Sequence, residues 1–123
     1  MISVHNLTID CSRPYELAEW WHQATGLPFH EETDPADDEV MLVNPAGPHL
    51  LFIKVPEGKT AKNRVHLDVR PSGDGTRDEE VERLVKLGAT VYEDRREDDG
   101  TGWVILLDPE ENEFCVCMSA AER

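Results

Sequence analysis

The sequence predicts an α+β fold of two tandem βαβββ modules, with helices on one side of the sheets. The first observation is an alternating strand pattern that occurs twice, in residues 2–10 and 64–70, each time with an apolar face and a polar face. The second is a set of anchors that follows both strands in the same order: a helix, a glycine, an apolar strand and an Asn-Pro or Asp-Pro turn. Because the anchors repeat together, we interpret the chain as a duplication.

Length and charge set the domain organisation and exclude some partners. At 123 residues the chain has the size of one domain, 1–123, with module one at about 1–56, a linker at 57–63 and module two at about 64–120. A net charge of −14 disfavours binding to nucleic acid and to anionic membranes. The sequence has neither a membrane-length apolar run nor a signal segment, so we expect a cytoplasmic protein.

The three cysteines are expected to be reduced thiols. Cys115 and Cys117 have strand spacing and project from one face, about 6–7 Å apart along the strand, which is awkward for a disulfide. Because the chain has three cysteines, any disulfide would leave one cysteine unpaired. We therefore predict a reducing compartment and no disulfide framework.

The first module is predicted from its helix signals. Ser12 is a suitable N-cap, a helix follows at residues 15–25, and Gly26 ends it. Four apolar residues give this helix a stripe that we expect to pack in the core: Leu17, Trp20, Trp21 and Ala24. The remaining segments are a short strand at 27–29, an acidic loop at 31–39, strands at 40–43 and 49–55, and a turn at 44–48.

The second module repeats this order after its first strand. Thr76 and Glu79 have the spacing of a capping box, and Gly88 ends the helix. The buried stripe of the helix is predicted at Val81, Leu84 and Val85. The remaining segments are strands at 89–92, 103–107 and 113–118, an acidic hairpin loop at 93–102 and a turn at 108–112.

Several stretches resemble the vicinal oxygen chelate superfamily, which contains glyoxalases, bleomycin-resistance proteins and extradiol dioxygenases. They include Val-His-Leu-Asp at residues 65–68, Leu-Gly-Ala-Thr at 87–90, and Asp-Pro-Glu-Glu-Asn-Glu-Phe at 108–114. The chain is most similar to the small bacterial glyoxalase-like domain proteins. The resemblance implies that the two modules form a cupped mixed sheet with helices on the outer side, a site on its polar inner face, and a homodimer.

The resemblance also implies where a metal would bind. Metal-dependent members take one ligand from the first and one from the last strand of each module. These positions fall here on Asn6, Leu51, His66 and Cys115. Leucine cannot ligate and an amide is a weak ligand, so we predict no metal at the usual four-ligand site and no cofactor. A divalent metal is the alternative, with a ligand borrowed from His5, His49, Asp68 or Glu113 in a rearranged site.

The polar strand faces supply the candidate functional residues. We predict His66 and Asp68 as catalytic, because a histidine beside a carboxylate can act as a general acid or base. Ligand-binding residues are predicted at Asn6, Thr8, Asp10, Leu51, Trp103, Glu113 and Cys115. Cys115 is either a nucleophile whose pKa is lowered by His66 or a small buried apolar group.

Three functions stay open at this point. The first is a small-molecule binding protein without the usual metal site, similar to drug-sequestering resistance proteins, whose acidic groove and tryptophans hold a cationic or aromatic ligand. The second is a metal-dependent lyase, isomerase or dioxygenase with an atypical metal site. The third is an accessory domain without turnover. Fold alone does not decide between them.

Overall fold

The computed structural model describes residues 1–122, which form two compact units. The first unit is Met1–Lys59 and the second begins at Thr60. The first contains β1 (Asn6–Cys11), α1 (Pro14–Thr25), β2 (Glu39–Leu42) and β3 (His49–Lys54). The second contains β4 (Leu67–Val69), α2 (Arg77–Leu87), β5 (Thr90–Arg96), β6 (Gly102–Leu107), β7 (Glu113–Val116) and a 3-10 turn (Ala120–Glu122). The α+β class and the repeated order of elements are confirmed. Within residues 1–122, no helix has the length and apolarity needed to cross a membrane.

The first sheet has the strand order β1-β3-β2, with β1 parallel and β2 antiparallel to β3. Helix α1 packs on β2 and β3, against the face that carries the buried Leu42 and Phe52. Both Trp20 and Trp21 are buried, as expected for core residues, and their rings meet edge to face. The predicted strand at 27–29 is reduced to one bridge between Phe29 and Leu42.

The second sheet has the order β4-β7-β6-β5, in which β4 and β7 are parallel and the other pairs are antiparallel. Helix α2 packs against β7. The apolar face of this sheet is almost fully buried: Val104, Leu106, Phe114 and Val116. Burial of these side chains provides the main driving force for folding of this unit.

The helix ends follow the predicted signals with two corrections. Gly26 ends α1 in a left-handed conformation with φ of 77°, and the Thr76–Glu79 capping box is present at α2. The Ser12 N-cap prediction is wrong: Arg13 occupies that position without a side-chain hydrogen bond, and the helix begins at Pro14. The stripe of α2 is narrower than predicted, because Val85 is 40% exposed.

The strands begin later than alternation predicted, because their ladder partners begin later. The partner of Asn6 is His49, the first residue of β3, so Ile2 and Val4 precede the ladder and are exposed. Val65 is likewise exposed because β7 begins only at Glu113. Conversely, β5 extends to residue 96, inside the predicted loop 93–102, because it pairs with β6 down to Gly102.

Glu111 is the position where a glycine is expected to stabilise the protein. Its φ is 69°, in the left-handed region that costs a non-glycine residue about 1 kcal/mol or more. Its side chain is exposed. We therefore expect Glu111→Gly to raise the free energy of unfolding by about 0.5–1 kcal/mol, measured by urea denaturation. Glu110→Gly, at the neighbouring turn position, serves as a control and should give no gain.

Candidate functional site

The second sheet has a face opposite α2 that carries most of the predicted site. Strand pairing places Asp68, Cys115, Ile105 and Glu93 in one row across β4, β7, β6 and β5. Together with Trp103 and Glu113 these residues make a surface of mixed character, which we call the site face. Trp103 is 43% exposed, whereas Cys115 and Glu113 are buried.

Three donor groups converge on this face. His66 Nδ1 lies 3.2 Å from Asp68 Oδ1 and 3.9 Å from Cys115 Sγ. One ligand atom from each residue falls within 4.8 Å of the other two. The strand register explains the arrangement, because Asp68 and Cys115 are direct partners across β4 and β7. We call His66, Asp68 and Cys115 the polar cluster.

The environment of Cys115 favours the neutral thiol. Burial, followed by the nearby carboxylate of Asp68, raises the pKa of Cys115 to about 11, and the opposing effect of Lys62 is smaller. A nucleophilic thiolate would need the opposite shift. The hypothesis that His66 lowers the pKa of Cys115 is therefore wrong for the metal-free protein, because desolvation and a nearby negative charge dominate.

This pKa predicts slow alkylation of Cys115. Because iodoacetamide reacts with the thiolate, the rate at neutral pH should fall far below that of an ordinary thiol and rise with pH up to about 11. In a Cys117→Ser variant, mass spectrometry can assign alkylation of the peptide around residue 115 to Cys115 alone. The same variant in urea is the control and should react at the rate of an unperturbed thiol. A folded-state rate that is half-maximal at about pH 8.5 and levels off by about pH 10, as for a thiol of ordinary pKa, would contradict the shift.

The predicted residues of the first module also share one face, that of the first sheet opposite α1. The register pairs Asn6 with His49, Thr8 with Leu51 and Asp10 with Ile53. Thr8 and Asp10 are exposed, whereas Leu51 is half-buried. Within residues 1–122, Asn6 Oδ1 is buried and accepts no hydrogen bond. Such an atom is a candidate contact for a bound polar group.

His49 is not available as a borrowed ligand through its Nδ1 atom. That nitrogen accepts a hydrogen bond from the backbone N–H of Asn44 at 2.9 Å. The His49 ring also meets the His5 ring edge to face, with centroids 5.5 Å apart. His49 therefore stabilises the turn that precedes β3.

Glu113 is engaged inside the protein. Its Oε2 atom accepts a hydrogen bond from the backbone N–H of Asn63 at 2.7 Å, and the residue is 8% exposed. Sequence reasoning did not single out Asn63, which lies in the predicted linker and belongs to no motif. The available signal was its position just before an alternating strand.

The polar cluster suits a divalent metal such as Zn²⁺. Imidazole, carboxylate and thiolate are zinc ligands, and catalytic zinc sites have three protein ligands. Bond lengths of about 2.0–2.3 Å at tetrahedral angles separate neighbouring donor atoms by about 3.3–3.8 Å. The distances of 3.2 and 3.9 Å around His66 lie close to that range. The donor atoms of His66, Asp68 and Cys115 thus lie close enough together to be ligands of one ion.

Comparison with known protein families shows to which family the chain belongs. The family model described as "Glyoxalase-like domain" matches residues 6–117. The chain belongs to the glyoxalase-like domain family. The resemblance to the vicinal oxygen chelate superfamily is thereby confirmed, and every candidate residue named above except His5 falls inside the matched range. No curated protein matches the chain.

Solved structures share the fold of this glyoxalase-like domain. A glyoxalase/bleomycin resistance protein/dioxygenase family enzyme from Burkholderia phytofirmans PsJN has a TM-score of 0.73 at 16% identity, covering 94% of this chain and 97% of that one. A solution structure of an Agrobacterium tumefaciens protein has a TM-score of 0.74 at 15% identity, covering 98% and 100%. Lactoylglutathione lyase from the same organism has a TM-score of 0.64 at 15% identity, covering 94% and 92%. At these identities the likeness concerns the fold alone.

Proposed function

We propose that this glyoxalase-like protein binds a small molecule on the site face of the second sheet. The observation that supports this most is the polar cluster, where His66, Asp68 and Cys115 converge beside the exposed Trp103. A few convergent polar groups next to an apolar surface are typical of ligand sites. In this proposal Asp68 and His66 act as a hydrogen-bonding pair that contacts the polar part of the ligand.

The ligand class that we propose is a flat aromatic cation. Trp103 offers a ring face for stacking and for cation–π interaction. The side chain of Asp68 is 64% exposed and provides a carboxylate, whereas Glu93 on the same face is already paired with Arg95 at 3.0 Å. Of the three tryptophans, Trp20 and Trp21 are buried, whereas Trp103 is exposed enough to contact a ligand. The net charge of −14 attracts cations from a distance.

Ethidium is a suitable probe, and anilinonaphthalenesulfonate is an aromatic anion for comparison. We expect ethidium to bind more tightly than the anion in a fluorescence titration. Trp103→Ala should weaken ethidium binding about tenfold, and Asp68→Asn by about threefold, because each removes a partly exposed interaction. Asp98→Asn, in the exposed hairpin loop, removes the same negative charge as Asp68→Asn and should leave the affinity for ethidium unchanged. Equal affinity of both probes, or insensitivity to Trp103→Ala, would contradict the proposal.

A second candidate, a metal-dependent lyase, isomerase or dioxygenase, is favoured by the fit of the polar cluster to a metal. His66, Asp68 and Cys115 would hold the ion. A divalent metal there would supply Lewis-acid polarisation of a substrate oxygen. The exposure of Asp68 and His66 would leave the ion open to a substrate, while burial of Cys115 would exclude water from one side of the site.

Cobalt(II) titration separates the two candidates. A metal site containing Cys115 would give thiolate-to-cobalt charge-transfer absorption that is lost in Cys115→Ser and weakened in His66→Ala, but kept in Cys117→Ser. Stoichiometric cobalt binding that is lost in Cys115→Ser would favour the metal-dependent enzyme. Absence of cobalt binding together with tight ethidium binding would favour the binding protein.

We also propose the homodimer that the resemblance implied. Light scattering of the purified protein tests it. The mass of a single chain, near 13.9 kDa, would contradict it.

A further inference from the structure

His66 lies at the edge of the sheet ladder, one residue before its first paired residue. Strand β4 begins only at Leu67, so His66 lies outside the paired residues Leu67, Asp68 and Val69. The segment before it, residues 55–66, contains neither helix nor strand. His66 nevertheless lies 3.9 Å from Cys115 Sγ. The ladder therefore holds His66 from one side only, and a contact on the side of residues 55–65 would restrict its position further.

Asn63 provides that contact through two hydrogen bonds to the start of β7. Its backbone N–H donates to Glu113 Oε2 at 2.7 Å, and its side-chain Nδ2 donates to Asn112 Oδ1 at 3.0 Å. Asn63 therefore binds with both main chain and side chain, to two consecutive residues. Because the backbone N–H and the side-chain amide of Asn63 are both held, the path of the chain over residues 64–66 is restricted.

Asn112 is itself held by the buried Asp108. Its Nδ2 atom donates to both carboxylate oxygens of Asp108, at 3.2 and 3.0 Å, and its backbone N–H donates to Oδ1 at 3.0 Å. This orients the amide so that its oxygen faces Asn63. We call Asn63, Asp108, Asn112 and Glu113 the Asn63 clamp.

We propose that Glu113 and Asn63 are positioning residues that place His66 over Cys115, and that Glu113 does so without contacting the ligand. The inference rests on the proposed function, in which the polar cluster is the binding centre, and it changes the role that the sequence gave to Glu113. The geometry supports it in two ways. Glu113 and Cys115 are two residues apart on β7 and therefore share the site face. However, the Oε2 atom of Glu113 accepts a hydrogen bond from the backbone N–H of Asn63. Asn63, in turn, precedes His66 by only three residues, a span of at most about 10 Å.

Residues in this kind of supporting role tune a binding site through geometry. Loss of such partners around a metal centre typically weakens affinity 10–100-fold while the direct contacts are intact, and we expect an effect at the lower end of that range for an organic ligand. A carboxylate whose role is to accept a backbone N–H can be replaced by the amide of glutamine, which keeps an acceptor oxygen. A carboxylate that contacts a cationic ligand cannot be replaced in this way, because glutamine lacks the negative charge. The two roles of Glu113 therefore give opposite results in Glu113→Gln.

The test uses the full chain and three variants: Asn63→Ala, Glu113→Ala and Glu113→Gln. Glu57→Ala, an exposed residue of the same linker, is the control. The first readout needs no ligand: the nuclear Overhauser cross peak between the His66 ring and the Cys115 β-protons. We expect it to be present in the wild type, Glu113→Gln and Glu57→Ala, and lost in Asn63→Ala and Glu113→Ala.

The second readout is ethidium affinity. We expect the dissociation constant to rise about tenfold in Asn63→Ala and Glu113→Ala and to stay near the wild-type value in Glu113→Gln. Asn63→Ala keeps the backbone N–H and removes only the bond to Asn112, so it tests positioning even where Glu113→Ala fails to fold. A cross peak that persists in folded Asn63→Ala, or an affinity lost equally in Glu113→Gln and Glu113→Ala, would overturn the inference. Failure of the proposed function looks different: the wild type would not bind ethidium, whereas its cross peak would still respond to the variants.

Discussion

Replacing Gly102 by alanine is expected to lower the free energy of unfolding by about 3 kcal/mol or more. Gly102 begins β6 with a φ of 93°, and a Cβ atom there would lie 2.1 Å from the carbonyl oxygen of Arg95. That contact is with backbone in the paired strand β5, which cannot move without breaking the ladder. The carbonyl of Gly102 also accepts a hydrogen bond from Nη1 of the buried Arg77 at 2.9 Å, so any shift would loosen the start of α2.

Gly100→Ala is the matched control for this prediction. Gly100 has nearly the same backbone conformation, with φ of 90°, but open space around its Cβ position. It should therefore show only the cost of a left-handed alanine, about 1–2 kcal/mol. Urea denaturation followed by circular dichroism measures both variants. Equal losses in the two variants would show that the contact with Arg95 is relieved cheaply.

Asp108→Ala is expected to lower the free energy of unfolding by about 2–4 kcal/mol. Asp108 is 3% exposed and accepts hydrogen bonds from the backbone N–H groups of Glu110 and Asn112 and from the Asn112 side chain. Alanine would leave these partly buried donors without their acceptor, and each unsatisfied donor costs about 1–3 kcal/mol where water cannot replace the carboxylate. The Asn63 clamp would lose its support as well.

Asp99→Ala provides the comparison, because Asp99 makes a similar local turn in an exposed loop. Asp99 Oδ1 accepts from the backbone N–H and the hydroxyl of Thr101, and these bonds lower the pKa of the Asp99 carboxyl. Water can replace that carboxylate, so we expect a clearly smaller loss of stability than in Asp108→Ala. A loss as large as that of Asp108→Ala would contradict the importance of burial.

Local signals were sufficient for the repeated fold. The capping box at Thr76 and Glu79 and the left-handed Gly26 are short-range features that a sequence displays directly. The strand starts could not be derived in this way, because ladder length depends on the partner strand. Alternation continues through Val65, but β7 offers no residue before Glu113 to pair with it.

The candidate site was predictable residue by residue but not as a group. His66, Asp68 and Cys115 were each placed on a polar strand face, yet their convergence depends on the β4–β7 register. The role of Asn63 depends on a contact with residues about fifty positions away, Asn112 and Glu113. The sequence left two roles open for Cys115, and its burial, a tertiary property that raises its pKa, favours the small buried apolar group over the nucleophile.

Nuclear magnetic resonance mapping of ethidium on isotope-labelled protein tests the central claim most directly. If the site face of the second sheet is the binding site, the largest chemical-shift changes will occur at the Trp103 indole N–H and at the amides of Asp68 and Cys115. The same titration of Asp98→Asn should give the same map. Changes confined to residues outside the second sheet, or no saturable change at any residue, would contradict the account.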